Sequence, residues 1–80
     1  MQKLLYTGNL CKIVRSGGWK IMPFGYNRNK RKQDFIDPGT ICLVILIYGT
    51  REEESTGWAQ VLMAENIWDV HIDFLERIDG

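Results

Sequence analysis

The sequence predicts an all-β domain, a small antiparallel barrel closed by one helical turn near its C-terminus. Three observations predict it. First, runs of β-branched and aromatic residues at Ile41–Tyr48, Trp58–Glu65 and Ile67–Ile72 have strand lengths and are separated by polar turns. Second, Asp37-Pro38-Gly39, Arg51 to Gly57 and Glu65-Asn66 supply the turn chemistry between them. Third, Phe74, Leu75 and Ile78 are spaced like a single helical turn that would plug one end.

The bulk composition bounds the answer. Eighty residues make one domain, with a core at the small end of what folds alone. With 45% hydrophobic and 11% aromatic residues, the chain has the composition of a folded globule rather than of a disordered tail. Cys11 and Cys42 are too few for a disulfide framework and lack C-x-x-C spacing, so they are expected as reduced, buried small hydrophobes. The longest apolar run, Ile41 to Tyr48, is far short of the roughly 20 residues of a membrane-spanning helix, and no membrane partner is expected. No secretory h-region and cleavage pattern is expected at the N-terminus either.

Formal net charge is zero, yet the halves differ. Residues 1–40 carry eight basic and two acidic side chains, a net +6; residues 41–80 carry two basic and eight acidic, a net −6. Such asymmetry suits a polarised surface, unless the fold interleaves the two halves and cancels it.

In chain order, Leu10 to Ser16 reads as a first strand of mixed facing, broken by Gly17-Gly18. Residues 17–39 form a long connection punctuated by Pro23, Gly25, Pro38 and Gly39. A connection of this length in a small domain is expected to be a functional loop or a hairpin of its own. Trp19, Ile21, Phe24 and Tyr26 at its start, and Phe35 and Ile36 at its end, give it packed roots. Asn27-Arg-Asn-Lys-Arg-Lys32 gives it a basic tip. The run Ile41–Tyr48 is apolar on both faces: Ile41, Leu43, Ile45 and Ile47 on one, Cys42, Val44, Leu46 and Tyr48 on the other. A strand wetted on one face would alternate with polar residues. The long loop or another chain must therefore cover the second face. Strands follow at Trp58–Glu65 and Ile67–Ile72. The expected barrel has about five strands, with Ile13, Leu43, Ile45, Val61, Val70 and Leu75 in the core.

The pattern Gly39-Thr-Ile-Cys-Leu-Val-Ile45, Gly57-Trp-Ala-Gln-Val-Leu62 and Asp69-Val-His-Ile-x-Phe-Leu-Glu76 resembles the small SH3-like β-barrel proteins of tailed bacteriophages. The resemblance covers about half the chain directly, and the first strand and long loop by position. It implies a long loop after the first strand, a three-stranded meander and a one-turn helix before the last strand. It also implies a place in the virion or the host cytoplasm. It implies little chemistry, because small barrels host unrelated roles.

Candidate chemistry is sparse. Asp69, His71 and Asp73 alternate on one strand face and include metal-ligand types. With no second histidine in the chain, the bland reading is preferred: local hydrogen bonding and solvated carboxylates, with no metal and no cofactor. Cys11 or Cys42 with His71 is the one Cys/His combination, and a thiol in an apolar strand is inert. No catalytic role is assigned. The candidate contact residues are Arg28, Lys30, Arg31 and Lys32 with Trp19 and Tyr26. Basic side chains meet carboxylates or phosphates, and exposed aromatics stack. Three functions compete. The first is a non-enzymatic structural or protein-interaction module, docked on phage structural proteins or on its own copies through the Glu52-Glu53-Glu54 turn. The second is a nucleic-acid-binding barrel using the basic loop. The third is a phage effector that binds and inhibits a host protein.

Overall fold

The computed structural model describes residues 5–16, 21–48 and 57–79. It is all-β. Seven strands run β1 (Leu10–Ile13), β2 (Phe24–Asn27), β3 (Lys32–Phe35), β4 (Ile41–Ile47), β5 (Trp58–Met63), β6 (Asn66–His71) and β7 (Leu75–Arg77), with a 3₁₀ turn at Ile72–Phe74. They form one antiparallel sheet in the order β3-β2-β6-β5-β4-β1-β7. No described helix is long and apolar enough to cross a membrane.

A single sheet has no second layer to cover its apolar face, so it must curl around that face. Cys11 and Ile13 of β1, Cys42 and Val44 of β4, Ala59, Val61 and Met63 of β5 and Val70 of β6 share one core with Ile36, Phe74 and Leu75. The 3₁₀ turn closes one end. His71 caps it by accepting a hydrogen bond from Asp73 N–H on Nδ1 at 3.1 Å. The Phe74 carbonyl accepts from Val14 N–H at 2.8 Å. Phe74 is fully buried, with its ring edge-on to Phe24 at 5.5 Å.

The strand count is seven rather than five because the long connection contains a hairpin. β2 pairs with β3 on one side and with β6 on the other, so the hairpin extends the sheet instead of looping over it. Gly25 makes this pairing feasible. A Cβ there would lie 2.8 Å from the Asp69 carbonyl oxygen and 2.9 Å from a Val70 methyl. The described hairpin root is packed: Pro23 and Ile36 are buried, and Ile36 N–H donates to the Pro23 carbonyl at 2.9 Å. Trp19 lies outside the described residues.

The inward face of β4 is the opposite of the one expected. Cys42 and Val44 are buried, whereas Leu43 and Ile45 are half-exposed. The register explains why both parities are apolar. Val44 pairs with Val61 but Leu46 with Gln60, so Ile45 is an extra residue, a β-bulge. Before the bulge, even positions point inward. After it, Ile47 sits opposite buried Ala59, and the even positions Leu46 and Tyr48 point outward. Part of the doubly apolar pattern is thus one inner face written in two phases.

The expected strand ends also shift. β1 stops at Ile13 rather than Ser16, and the turn after β5 is Ala64-Glu65, one residue earlier than expected. Both turn residues have positive φ, 49° and 66°. This is the mirror-image two-residue turn that suits the twist of a hairpin and favours Asn-Gly.

Two outcomes are expected. Leu75 is fully buried, so Leu75→Ala should cost about 2–5 kcal/mol in denaturant unfolding; a loss under about 0.5 kcal/mol would remove Leu75 from the core. Replacing Ala64 by Asn and Glu65 by Gly should raise stability by roughly 1 kcal/mol or more, because side chains in the left-handed region are strained. An unchanged or lower melting temperature would mean that the turn is not strained as drawn.

Candidate functional site

The basic tip is built by its own local chemistry. Asn27 and Lys32 are the last paired residues of the hairpin, which leaves Arg28 to Arg31 as the connection. Asn27 is buried, and its Oδ1 accepts from both Asn29 N–H and Lys30 N–H at 3.0 Å. That is an Asx-type closure, the reason Asn suits this position. Arg31 takes the left-handed conformation at φ 55° to turn the chain into β3. The tip is fastened to β6: Arg28 N–H donates to the Ile67 carbonyl at 2.8 Å, and Ile67 N–H donates to Asn29 Oδ1 at 2.7 Å.

On the outer face of the sheet four side chains from four strand regions converge. Arg28 Nε donates to Asp69 Oδ2 at 2.9 Å, and its Nη2 donates to the Tyr48 hydroxyl at 2.8 Å. That hydroxyl donates to Asp69 Oδ1 at 2.8 Å and also accepts from Gln60 Nε2 at 3.2 Å. Asp69 lends the Arg28 guanidinium a hydrogen bond and a charge, which raises an already high pKa. Burial, then the Asp69 carboxylate, pushes the Tyr48 phenol above its ordinary range, while Arg28 and Gln60 pull the other way. The group is self-satisfied: every member has a partner of the right kind. It is a clamp that ties the hairpin to β6 and to the end of β4.

The expected contact residues therefore separate. Arg28 is engaged inside its own chain. Lys30 and Arg31 are exposed at the tip and have no ion pair among the described residues. Lys32 lies 3.9 Å from Asp34 with both side chains well exposed, a weak surface pair. Tyr26 is 42% exposed on the outer face, in register with Asp69. Trp19 and Glu52-Glu53-Glu54 lie outside the described residues. The three metal-ligand types do not form one cluster among the described residues: Asp69 on β6 is committed to Arg28 and Tyr48, while His71 at the end of β6 caps the 3₁₀ turn, with its Nδ1 3.6 Å from a carboxylate oxygen of Asp73 in that turn, and packs edge-on to Trp58 at 5.3 Å. Cys11 and Cys42 face each other in register in the core. Burial, with the neighbouring thiol, pushes Cys42 up to about 12, far from a thiolate nucleophile at neutral pH.

One feature was invisible to residue-by-residue reading. Leu10 pairs with Leu43, Leu43 with Leu62, and Leu62 with Ile67. This places four apolar side chains in one row across β1, β4, β5 and β6 on the outer face. Leu10 and Leu62 remain more than 40% exposed, as does Leu46 alongside. The hairpin, joined edge-on to β6, does not cover them.

Tyr48→Phe should cost about 1 kcal/mol, the loss of a partly exposed hydroxyl that serves three partners. It should also speed amide exchange at Tyr26 and Arg28. Exchange and stability equal to wild type would mean that the clamp holds nothing. The alkaline dependence has a definite sign. A phenol whose pKa is raised by folding contributes stability that is complete below the ordinary tyrosine range and is lost as pH rises through the raised value.

Comparison with protein families, with curated proteins and with solved structures finds no match to this chain, so its role is read from its own residues.

Proposed function

We propose that this chain is a non-enzymatic protein-interaction module, a small SH3-like barrel that docks on neighbouring protein chains. The observation that carries the reading is the in-register outer row of Leu10, Leu43, Leu62 and Ile67. The β4 sequence required a cover for its second apolar face. Among the described residues the chain's own hairpin does not supply it, which supports a neighbouring chain as the cover. Contiguous apolar surface beside a polar rim is how a docking face is built. The rim here is the Arg28–Asp69–Tyr48 clamp at one end and the Lys12–Glu76 pair, 3.6 Å apart on β1 and β7, at the other. Both ends are charge-neutralised, which suits apolar contact.

Support for the SH3-like description is topological. The hairpin-bearing connection follows β1, β4 to β6 make a meander, and the 3₁₀ turn leads into β7 beside β1. Assignment to phage assembly, in the virion or the host cytoplasm, rests on the sequence resemblance alone. The nucleic-acid reading draws on the exposed tip cations Lys30, Arg31 and Lys32 beside Tyr26. Binding of that kind would weaken steeply with salt, whereas apolar docking would not.

The test compares wild type with two variants. Leu62→Glu strikes the outer row, and Lys30→Glu, Arg31→Glu and Lys32→Glu together reverse the tip while leaving Arg28 in its clamp. Leu62→Glu should abolish co-purification with the partner, at unchanged circular dichroism and in both low and high salt. Retained co-purification by folded Leu62→Glu would refute docking through this face. Loss confined to the tip variant, with salt-sensitive retention of nucleic acid, would favour the alternative.

A further inference from the structure

The hairpin carries a second feature, on the side away from the outer row. β3 is an edge strand, and all four of its residues are exposed. Donors alternate along an antiparallel ladder. Ile36 N–H points to β2, where it bonds Pro23, so the N–H groups of Asp34 and Lys32 point the same way. The N–H groups of Gln33 and Phe35 point away from the sheet. Phe35 N–H is already held by Asp34 Oδ1 at 2.9 Å. Gln33 is left presenting a donor and an acceptor together, with no hydrogen-bond partner among the described residues. Next to it opens a cavity of about 380 Å³, lined among the described residues by Ile21, Phe24, Gln33, Asp34 and Phe35. Phe35 is 67% exposed and Ile21 49%. At the other end of the same strand stand Lys32, Arg31 and Lys30.

We propose that the β3 edge binds an extended segment of another protein, added antiparallel to β3. This rests on the reading of the chain as an interaction module and names a site and a ligand class for it. The Gln33 backbone makes the paired hydrogen bonds of strand addition. The cavity takes one large apolar side chain, since its size is in the range of small-ligand sites. Carboxylates about three or four residues further along the segment reach the tip cations, because an added strand advances roughly 3.3 Å per residue. Charge selects the occupant: a segment bearing acidic groups is complementary to Lys30, Arg31 and Lys32, and a basic one is repelled. The Asp34 hold on Phe35 N–H limits pairing to one point, which keeps the edge from recruiting strands indiscriminately.

The test uses the full chain and a fluorescein-labelled synthetic peptide of threonine and valine, with one central phenylalanine and two glutamates about four residues after it. Saturable anisotropy change is expected. Gln33→Pro should weaken it by about tenfold or more, because proline removes the outward N–H and is tolerated on an edge strand. Arg31→Glu with Lys32→Glu, and a peptide with alanine in place of phenylalanine, should each weaken it similarly. Leu62→Glu should leave it unchanged. Amide spectra should shift at Gln33 and Ile21, and should not move along the outer row. If Gln33→Pro does not fold, Phe35→Ser takes its place with the same expected loss. No binding up to about 1 mM, a millimolar limit equal to no useful affinity, would overturn the proposal. So would equal binding by folded Gln33→Pro, or self-association through β3 in sedimentation that excludes the peptide. Failure of the peptide while Leu62→Glu still abolishes co-purification would sink the edge site and spare the docking face. Failure of both would remove the interaction-module reading as well.

Discussion

Among the described residues, the inner face of the sheet is covered by the sheet itself, the 3₁₀ turn, the hairpin root and Leu5 ahead of β1. That constraint shapes the rest. Side chains as far apart in sequence as Cys11 and Leu75 must meet in one core, so β1 has to lie between β4 and the last strand. A sheet that curls this tightly needs a local irregularity, and the bulge at Ile45 provides one in an interior strand, between β1 and β5. The end left open by the curl is filled by Phe74, whose position is fixed through main-chain contact with Val14 and ring contact with Phe24.

The same closure decides the electrostatics. The sequence is basic in its first half and acidic in its second, but the strand order interleaves them. Arg28 meets Asp69 across the β2–β6 junction, and Lys12 meets Glu76 across β1–β7. The expected dipole is consumed inside the fold along most of the sheet. Among the described residues, a small cationic group survives at the tip of one hairpin. Such a group steers a partner more effectively than it holds one, since exposed pairs are weak.

Much of the fold was legible in the sequence. The runs from Ile41, Trp58 and Ile67 gave β4, β5 and β6, and Asp37-Pro38-Gly39 gave the turn before β4, with Gly39 at φ 92°. The long connection was recognisable as a packed-root excursion with a basic tip, but not as two strands of the main sheet. That depends on β2 approaching β6 closely at Gly25, and a lone glycine does not announce its neighbour. The inward face of β4 could not be read, because both parities are apolar and the phase change at Ile45 leaves no signature in residue type. The candidate site was half visible. The tip cations were found, yet Arg28 belongs to an internal clamp with Tyr48, Gln60 and Asp69, whose members stand up to 41 positions apart. The outer apolar row emerges only once register is known, because each of its members is an ordinary strand residue by itself.

The bulge at Ile45 also acts as a phase switch between two kinds of surface. Upstream of it, β4 gives the outer face Leu43 and so a place in the apolar row. Downstream, it gives the outer face Tyr48 and so the phenol that Arg28 and Asp69 share. The greasy and the polar parts of this face are therefore not independent patches. One inserted residue sets their boundary. If β4 kept Ile45 but paired with β5 in strict alternation, without the bulge, Tyr48 would turn inward, Arg28 and Asp69 would lose their shared oxygen, and Ile47 would be carried out to solvent. The pairing register of β4, as much as its composition, is what this surface depends on.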